Sequence, residues 1–269
     1  MEGSASSPKG SNPQEKRTSS HVLTELGWSV RQQGDEMHGD GTIYPELHVP
    51  GAEQLRTSML ASWADQLMGL IAVQVMRPRV PSTLELDIHL YTPAPGNGVL
   101  RGRSALVKAG RSVLTASVEF LNDEDQVFAV GAGSFMLAGD PDVRLPPRLS
   151  LDMPALPRTL DQPIAERVQC QTRAPGVVAL PRRDDGLNAS NTVNGGLLAL
   201  VAEEAVLSLP DAPPLCSLAI RYLRPVRIGP AVATATLRNN LGLVEVRDEG
   251  NGNRLAVTAT VRTFGNNNG

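Results

Sequence analysis

The chain is poor in aromatic residues. Two Trp, three Tyr and four Phe make up 3% of its 269 residues. That composition lacks the stacking platforms that hold single-stranded nucleic acid. It has no basic excess either: 25 Lys and Arg stand against 28 Asp and Glu, a formal net charge of -3. A general nucleic-acid binder has the opposite balance, so no nucleic-acid partner is expected. Two cysteines, Cys170 and Cys216, can make neither a disulfide scaffold nor a four-cysteine zinc site. Four histidines, His21, His38, His48 and His89, show no ligand spacing, so no metal is expected. No uninterrupted run reaches the roughly 18 apolar residues of a membrane helix, and no secretory signal opens the chain. No G-x-S-x-G elbow, Walker loop or dinucleotide fingerprint occurs, so no cofactor is expected. These absences predict a cytoplasmic protein with reduced thiols and no membrane partner.

What is present is a mostly aliphatic chain, 41% hydrophobic and 20% charged, enough to bury a core. Residues 1–20 are polar, without apolar periodicity, and are expected to form a disordered tail. Residues 139–163 contain six prolines, which exclude a continuous helix and predict an extended linker. The flanking segments, 21–138 and 164–265, are expected to be two domains. They repeat each other. At an offset of 138, Leu60, Ala61, Ala64 and Asp65 fall on Leu198, Ala199, Ala202 and Glu203. At an offset of 132, Leu86, Ile88 and Pro93 fall on Leu218, Ile220 and Pro225. Phe135 falls on Phe264 at an offset of 129. The common order of these matches marks a tandem duplication.

Each copy carries the same coarse plan. Strand-like sequence comes first, at 23–31 and 42–49, then again at 166–173 and 177–180. An apolar helix follows, near 58–75 and 195–208. Strands of period two come last: Leu84, Leu86, Ile88 and Leu90 share a face, as do Leu114, Ala116, Val118 and Phe120, and Leu255, Val257, Ala259 and Val261. Alternation predicts an antiparallel sheet with one dry face. A helix apolar nearly all round must be buried on more than one side. The expected class is α+β, an antiparallel sheet wrapped around a central helix, made twice.

This order resembles the hot-dog fold, and within it the acyl-CoA thioesterases of the hydroxybenzoyl-CoA and phenylacetyl-CoA type. Their helix-start pattern is roughly N-x-x-G-x-x-H-G-G, with an acid nine residues after the His. Asn188, Asn191, Asn194, Gly195, Gly196 and Glu203 follow it, with Asn194 in the His place. In the first copy Arg56-Thr57-Ser58 stand there, followed by Asp65. The resemblance implies a tandem double hot dog, a pseudo-dimer within one chain, with pairing into a larger homodimer left open. It implies hydrolysis of an acyl-CoA or acyl-carrier-protein thioester.

Helix starts carry free N–H groups and partial positive charge, suited to a developing oxyanion. A nine-residue separation on one helix is about 13 Å of rise, too far for one reacting carbon to touch both groups. Each site must therefore combine one copy's helix start with the other's acid. The favoured site joins Asp65 with Asn194, Gly195 and Gly196. The second joins Glu203 with Arg56, Thr57 and Ser58, where Arg56 either holds a substrate phosphate or pairs with Glu203. Thr57 belongs with Arg56 as a substrate-binding candidate. Lys108 and Arg111, in a charged hairpin turn, are candidates for contacts to CoA phosphates. Two other readings stay open: a non-catalytic acyl-thioester binding or scaffold protein, and an enoyl-thioester hydratase. The latter's Asp–His segment finds only a wrongly spaced counterpart in Asp40 to His48.

Overall fold

A computed structural model describes residues 21–138, 144–154, 157 and 159–265; the predicted tail at 1–20 and parts of the predicted linker lie outside them. The first repeat comprises strands β1 (Ser29–Gln33) and β2 (Glu36–Thr42), helix α1 (Thr57–Met76), and strands β3 (Pro81–Leu90), β4 (Val99–Ala109), β5 (Val113–Leu121) and β6 (Val127–Leu137). A four-residue helix α2 (Ile164–Arg167) precedes the second: β7 (Gln171–Ala174), β8 (Val177–Leu180), helix α3 (Gly195–Leu207), β9 (Leu215–Tyr222), β10 (Ala231–Arg238), β11 (Leu241–Asp248) and β12 (Arg254–Thr263).

Among the described residues the strands form one twelve-stranded sheet in the order β1-β2-β4-β5-β6-β3-β9-β12-β11-β10-β8-β7. Each half has the same internal order, so the duplication is structural as well as sequential. The halves join where β3 runs antiparallel to β9, with Glu85 opposite Arg221 and His89 opposite Ser217. Arg221 straddles the seam, 2.7 Å from Asp87 and 3.1 Å from Glu85. This is the doubled antiparallel sheet with central helices that the period-two strands and all-round apolar helices predict, and the tandem hot-dog architecture that the resemblance implies.

α1 is long and apolar enough to cross a bilayer by length and composition. Here its apolar side chains pack into the concave face of the sheet: Met59, Leu60, Leu67, Met68 and Ile71 are all buried. Burial of each such side chain is worth roughly 1.5–3 kcal/mol. Trp63 of α1 stacks on Trp28, centroids 4.6 Å apart. Trp28 in turn covers Gly39 and Gly41, where a Cβ would meet its indole at 2.3 and 2.9 Å.

Some expectations change. The segments expected to open each repeat as strands begin instead as a 3-10 helix (Val22–Leu26) and as α2. The expected strand at 42–49 is only the end of β2 followed by a 3-10 turn, Pro45–Leu47. A register shift between Val246 and Arg247 offsets β12, so Ala256 is buried in place of Leu255. The described part of the proline-rich segment straps the first repeat: Met153 pairs with Val30 of β1, and Leu151 and Leu160 are buried. Arg167 then ties the repeats together, 2.6 Å from Glu25 and 3.0 Å from Asp185.

Candidate active site

The α1 start faces an acid of the other repeat, the α3 start packs against α1, and the two junctions are built differently. At the start of α1, both oxygens of Glu203 are taken. Oε1 accepts from the Thr57 N–H at 3.0 Å. Oε2 accepts from the Ser58 N–H at 3.2 Å and from the Ser58 hydroxyl. Arg56 closes the cluster, ion-paired to Glu204 and 3.9 Å from Glu203. Glu203 is fully buried and Arg56 is 1% exposed. Burial pushes the Glu203 carboxyl up, and Arg56 and the Ser58 donors oppose it. The carboxylate thus caps α1 and neutralises its positive end.

This overturns two expectations. Arg56 lies against Glu204 in the interior and cannot hold a substrate phosphate, which leaves its pairing alternative. Thr57 is buried too, its hydroxyl donating to the Leu215 carbonyl at 2.9 Å, so it presents nothing to a substrate.

At the start of α3, Asn194 caps the helix, its Oδ1 accepting from the Gly196 N–H at 2.8 Å. The Asn194 backbone N–H donates to the Gly186 carbonyl at 2.9 Å, while its side-chain Nδ2 and the Gly195 N–H have no hydrogen bond among the described residues. α1 crosses here in close contact. A Cβ on Gly196 would lie 2.3 Å from the Ser62 hydroxyl, so only glycine fits. Asp65 follows Ser62 by three residues, on the same side of α1. One oxygen of Asp65 accepts from the Thr83 hydroxyl at 2.7 Å; the other accepts nothing among the described residues. Burial raises the Asp65 carboxyl above its ordinary range, against the Thr83 bond.

Tyr222 completes this junction. Its hydroxyl donates to the Gly195 carbonyl at 3.1 Å, and its ring lies 3.3–3.4 Å from where a Gly195 Cβ would sit. Burial first, then the Asp65 charge, holds the phenol well above its ordinary value. Tyr222 therefore contacts the first residue of α3 and senses the Asp65 charge. Asn194, Gly195 and Gly196 thus share the α3 start, with Ser62 of α1 against Gly196 and Asp65 one turn further along α1, while Glu203 stands apart at the α1 start.

Lys108 and Arg111 lie exposed on the β4–β5 hairpin, outside both junctions. Ser62, Thr83 and Tyr222 were not foreseen. Tyr222 did leave a signal: at the offset of 132 it replaces Leu90, a hydroxyl introduced at a repeat-equivalent strand end. Ser62 and Thr83 left none, because each matters through a partner distant in sequence.

A sequence model of the thioesterase superfamily matches residues 57–129. No curated protein sequence matches the chain. Among solved structures, an acyl-ACP thioesterase from Bacteroides thetaiotaomicron VPI-5482 is similar at 13% identity and a TM-score of 0.59, covering 85% of this chain and 97% of that one. A 12:0-ACP thioesterase from Umbellularia californica is similar at 11% identity and a TM-score of 0.61, covering 86% and 98%. At such identities the likeness is one of fold. The chain is a tandem double hot dog whose first repeat carries the sequence pattern of the thioesterase superfamily.

Proposed function

We propose that the protein hydrolyses an acyl thioester at the junction of Asp65 with the α3 start, and that the Glu203 junction is a strut. The observation that carries this reading is the contrast between the two. The Glu203 carboxylate is saturated by internal donors, whereas Asp65 keeps an oxygen with no donor among the described residues, one helical turn along α1 from the Ser62 that touches Gly196.

The chemistry follows from that arrangement. The thioester carbonyl oxygen accepts from the Gly195 N–H and the Asn194 Nδ2, within the positive end of α3. Asp65, in its ionised form, removes a proton from water as the water oxygen attacks the carbonyl carbon. The tetrahedral oxyanion collapses, the C–S bond breaks, and the thiolate leaves and takes up a proton. Gly195 and Gly196 keep the approach to the backbone clear. Tyr222 fixes the first carbonyl of α3 and is a positioning residue.

The test is thiol release from short, medium, long and aryl acyl thioesters, beside Asp65→Asn. Turnover of some substrate is expected, with a loss of about 10²–10⁴-fold in the variant, as for removal of a general base. Unchanged turnover in Asp65→Asn overturns the assignment. An absence of thiol release, with acyl thioester still raising the melting temperature, would instead identify a binding module.

A further inference from the structure

The loop after β9 lies beside the α3 start. The Val193 N–H donates to the Val226 carbonyl at 3.1 Å, and Arg224 follows Tyr222 by two residues. That loop and the β11–β12 turn enclose a cleft of about 180 Å³ lined by Arg224, Arg227, Arg254, Pro225, Asp248 and Asn251. All three arginines are exposed, and none has a carboxylate partner among the described residues. Asp248, the one acid in the lining, is buried and turned inward. Its carboxylate accepts from the N–H groups of Arg227, Ile228 and Gly229 at 2.8, 3.3 and 2.7 Å. The cleft therefore presents three guanidinium forks with no acid aimed at them, on a chain of net charge -3.

The repeat supplies an internal control. In the first copy the corresponding loop, residues 91–98, carries no charge, and the corresponding turn, residues 122–126, carries Asp123, Glu124 and Asp125. That acidic turn accompanies the junction closed by Glu203. The basic cleft accompanies the junction that is open.

Resting on the hydrolase reading above, we infer that the Arg224–Arg227–Arg254 cleft binds the phosphates of coenzyme A and so makes acyl-CoA the substrate class. Guanidinium forks match phosphate oxygens in bidentate geometry. A concave cleft suits a compact polyanion, while a protein carrier's prosthetic arm offers a single phosphodiester. These arginines take the role that the sequence assigned to Lys108 and Arg111.

The test uses the full chain, the Arg224→Gln/Arg227→Gln/Arg254→Gln protein, and Arg31→Gln/Arg103→Gln/Arg238→Gln, exposed and outside the cleft, as a control of equal charge change. Calorimetry with coenzyme A and with adenosine 3′,5′-bisphosphate is expected to show Kd raised at least about tenfold in the triple variant alone, as for loss of charge-assisted bonds. The kcat/KM ratio of an acyl-CoA to the same acyl N-acetylcysteamine thioester, which has no phosphate, is expected to fall at least about tenfold. Unchanged coenzyme A binding, or an unchanged ratio, overturns the inference. So does a loss confined to acyl-carrier-protein substrates. If no thioester is hydrolysed but coenzyme A binding still needs the arginines, the hydrolase reading fails and the cleft stands.

Discussion

Glu203 on α3 caps α1 across the repeat boundary, its Oε1 3.0 Å from the Thr57 amide nitrogen, with Arg56 closing the cluster from the other side. The ion pair is buried at both ends. Removing one partner of such a pair leaves an uncompensated charge and costs about 3–5 kcal/mol. Arg56→Met should accordingly lower the melting temperature by roughly 10 °C, at about 2–4 °C per kcal/mol in chains approaching this size. The paired change Arg56→Met/Glu203→Gln should recover a good part of that loss. Differential scanning calorimetry of the cycle checks both statements. Equal, additive losses would mean that the two side chains are not energetically coupled.

Gly196 and Ser62 set the spacing of the helices at the open junction. A Cβ on Gly196 would meet the Ser62 hydroxyl at 2.3 Å and its Cβ at 2.9 Å. Gly196→Ala is expected to cost about 1–3 kcal/mol by overpacking and to lower turnover by moving Asp65 from the α3 start. Adding Ser62→Gly opens the space and should restore turnover more than stability, since glycine inside α1 carries its own cost of about 1 kcal/mol. Thermal unfolding and kcat/KM of the single and double variants separate the two effects.

Asp65 gives a stability effect of defined sign. Burial raises its folded-state pKa, so between the unfolded and folded values the native state holds the extra proton. Stability from this group is full below the unfolded pKa and is lost as pH rises through the folded one. Asp65→Asn should therefore raise the melting temperature at neutral pH while abolishing most turnover. That gain should shrink toward zero in acid, where Asp65 is neutral in both states. Melting curves from pH 3 to 8 test it. A destabilised Asn variant at neutral pH contradicts the burial argument. The kcat/KM profile of the native protein should rise through a pKa above the ordinary carboxylate range.

Asp248 tests the loop that carries the arginines. Burial opposes its charge, yet three backbone N–H groups hold its carboxyl below the usual range. The stability it supplies is present above the unfolded pKa and lost as pH falls through the folded one. Asp248→Ala strands those donors and is expected to cost at least about 2 kcal/mol near neutrality. Coenzyme A binding should weaken with it, because Arg227 sits on the released loop.

The helices were legible to within a residue or two, since an apolar run bounded by prolines reports its own limits. The duplication was legible from seven spaced identities. Strand openings were misread where short 3-10 and α turns share the composition of strands: Val22–Leu26 has three aliphatic residues in five yet turns. That Glu203 meets the helix start of the other repeat was expected from helix rise and from the resemblance. The glycine pair at 195–196 favoured the Asp65 site, but how the other junction closes was not legible, because it depends on whether Glu203 reaches the N–H groups of Thr57 and Ser58. That outcome depends on reach and on tertiary neighbours: Glu has one more methylene than Asp, and Asp65 turns to Thr83. Tyr222 and Arg227 draw their meaning from residues 27 and 21 positions away, beyond any local pattern.

The seam between β3 and β9 fuses the repeats into one continuous sheet. In a two-fold dimer of identical subunits every contact occurs twice, so a change at one junction is imposed on both. Fusion lifts that constraint. A residue altered in either repeat is altered once, which allows one junction to be filled with an arginine–glutamate lock while its twin keeps glycines and a free acid. The chain's asymmetry is a freedom that a symmetric dimer of one gene product does not have.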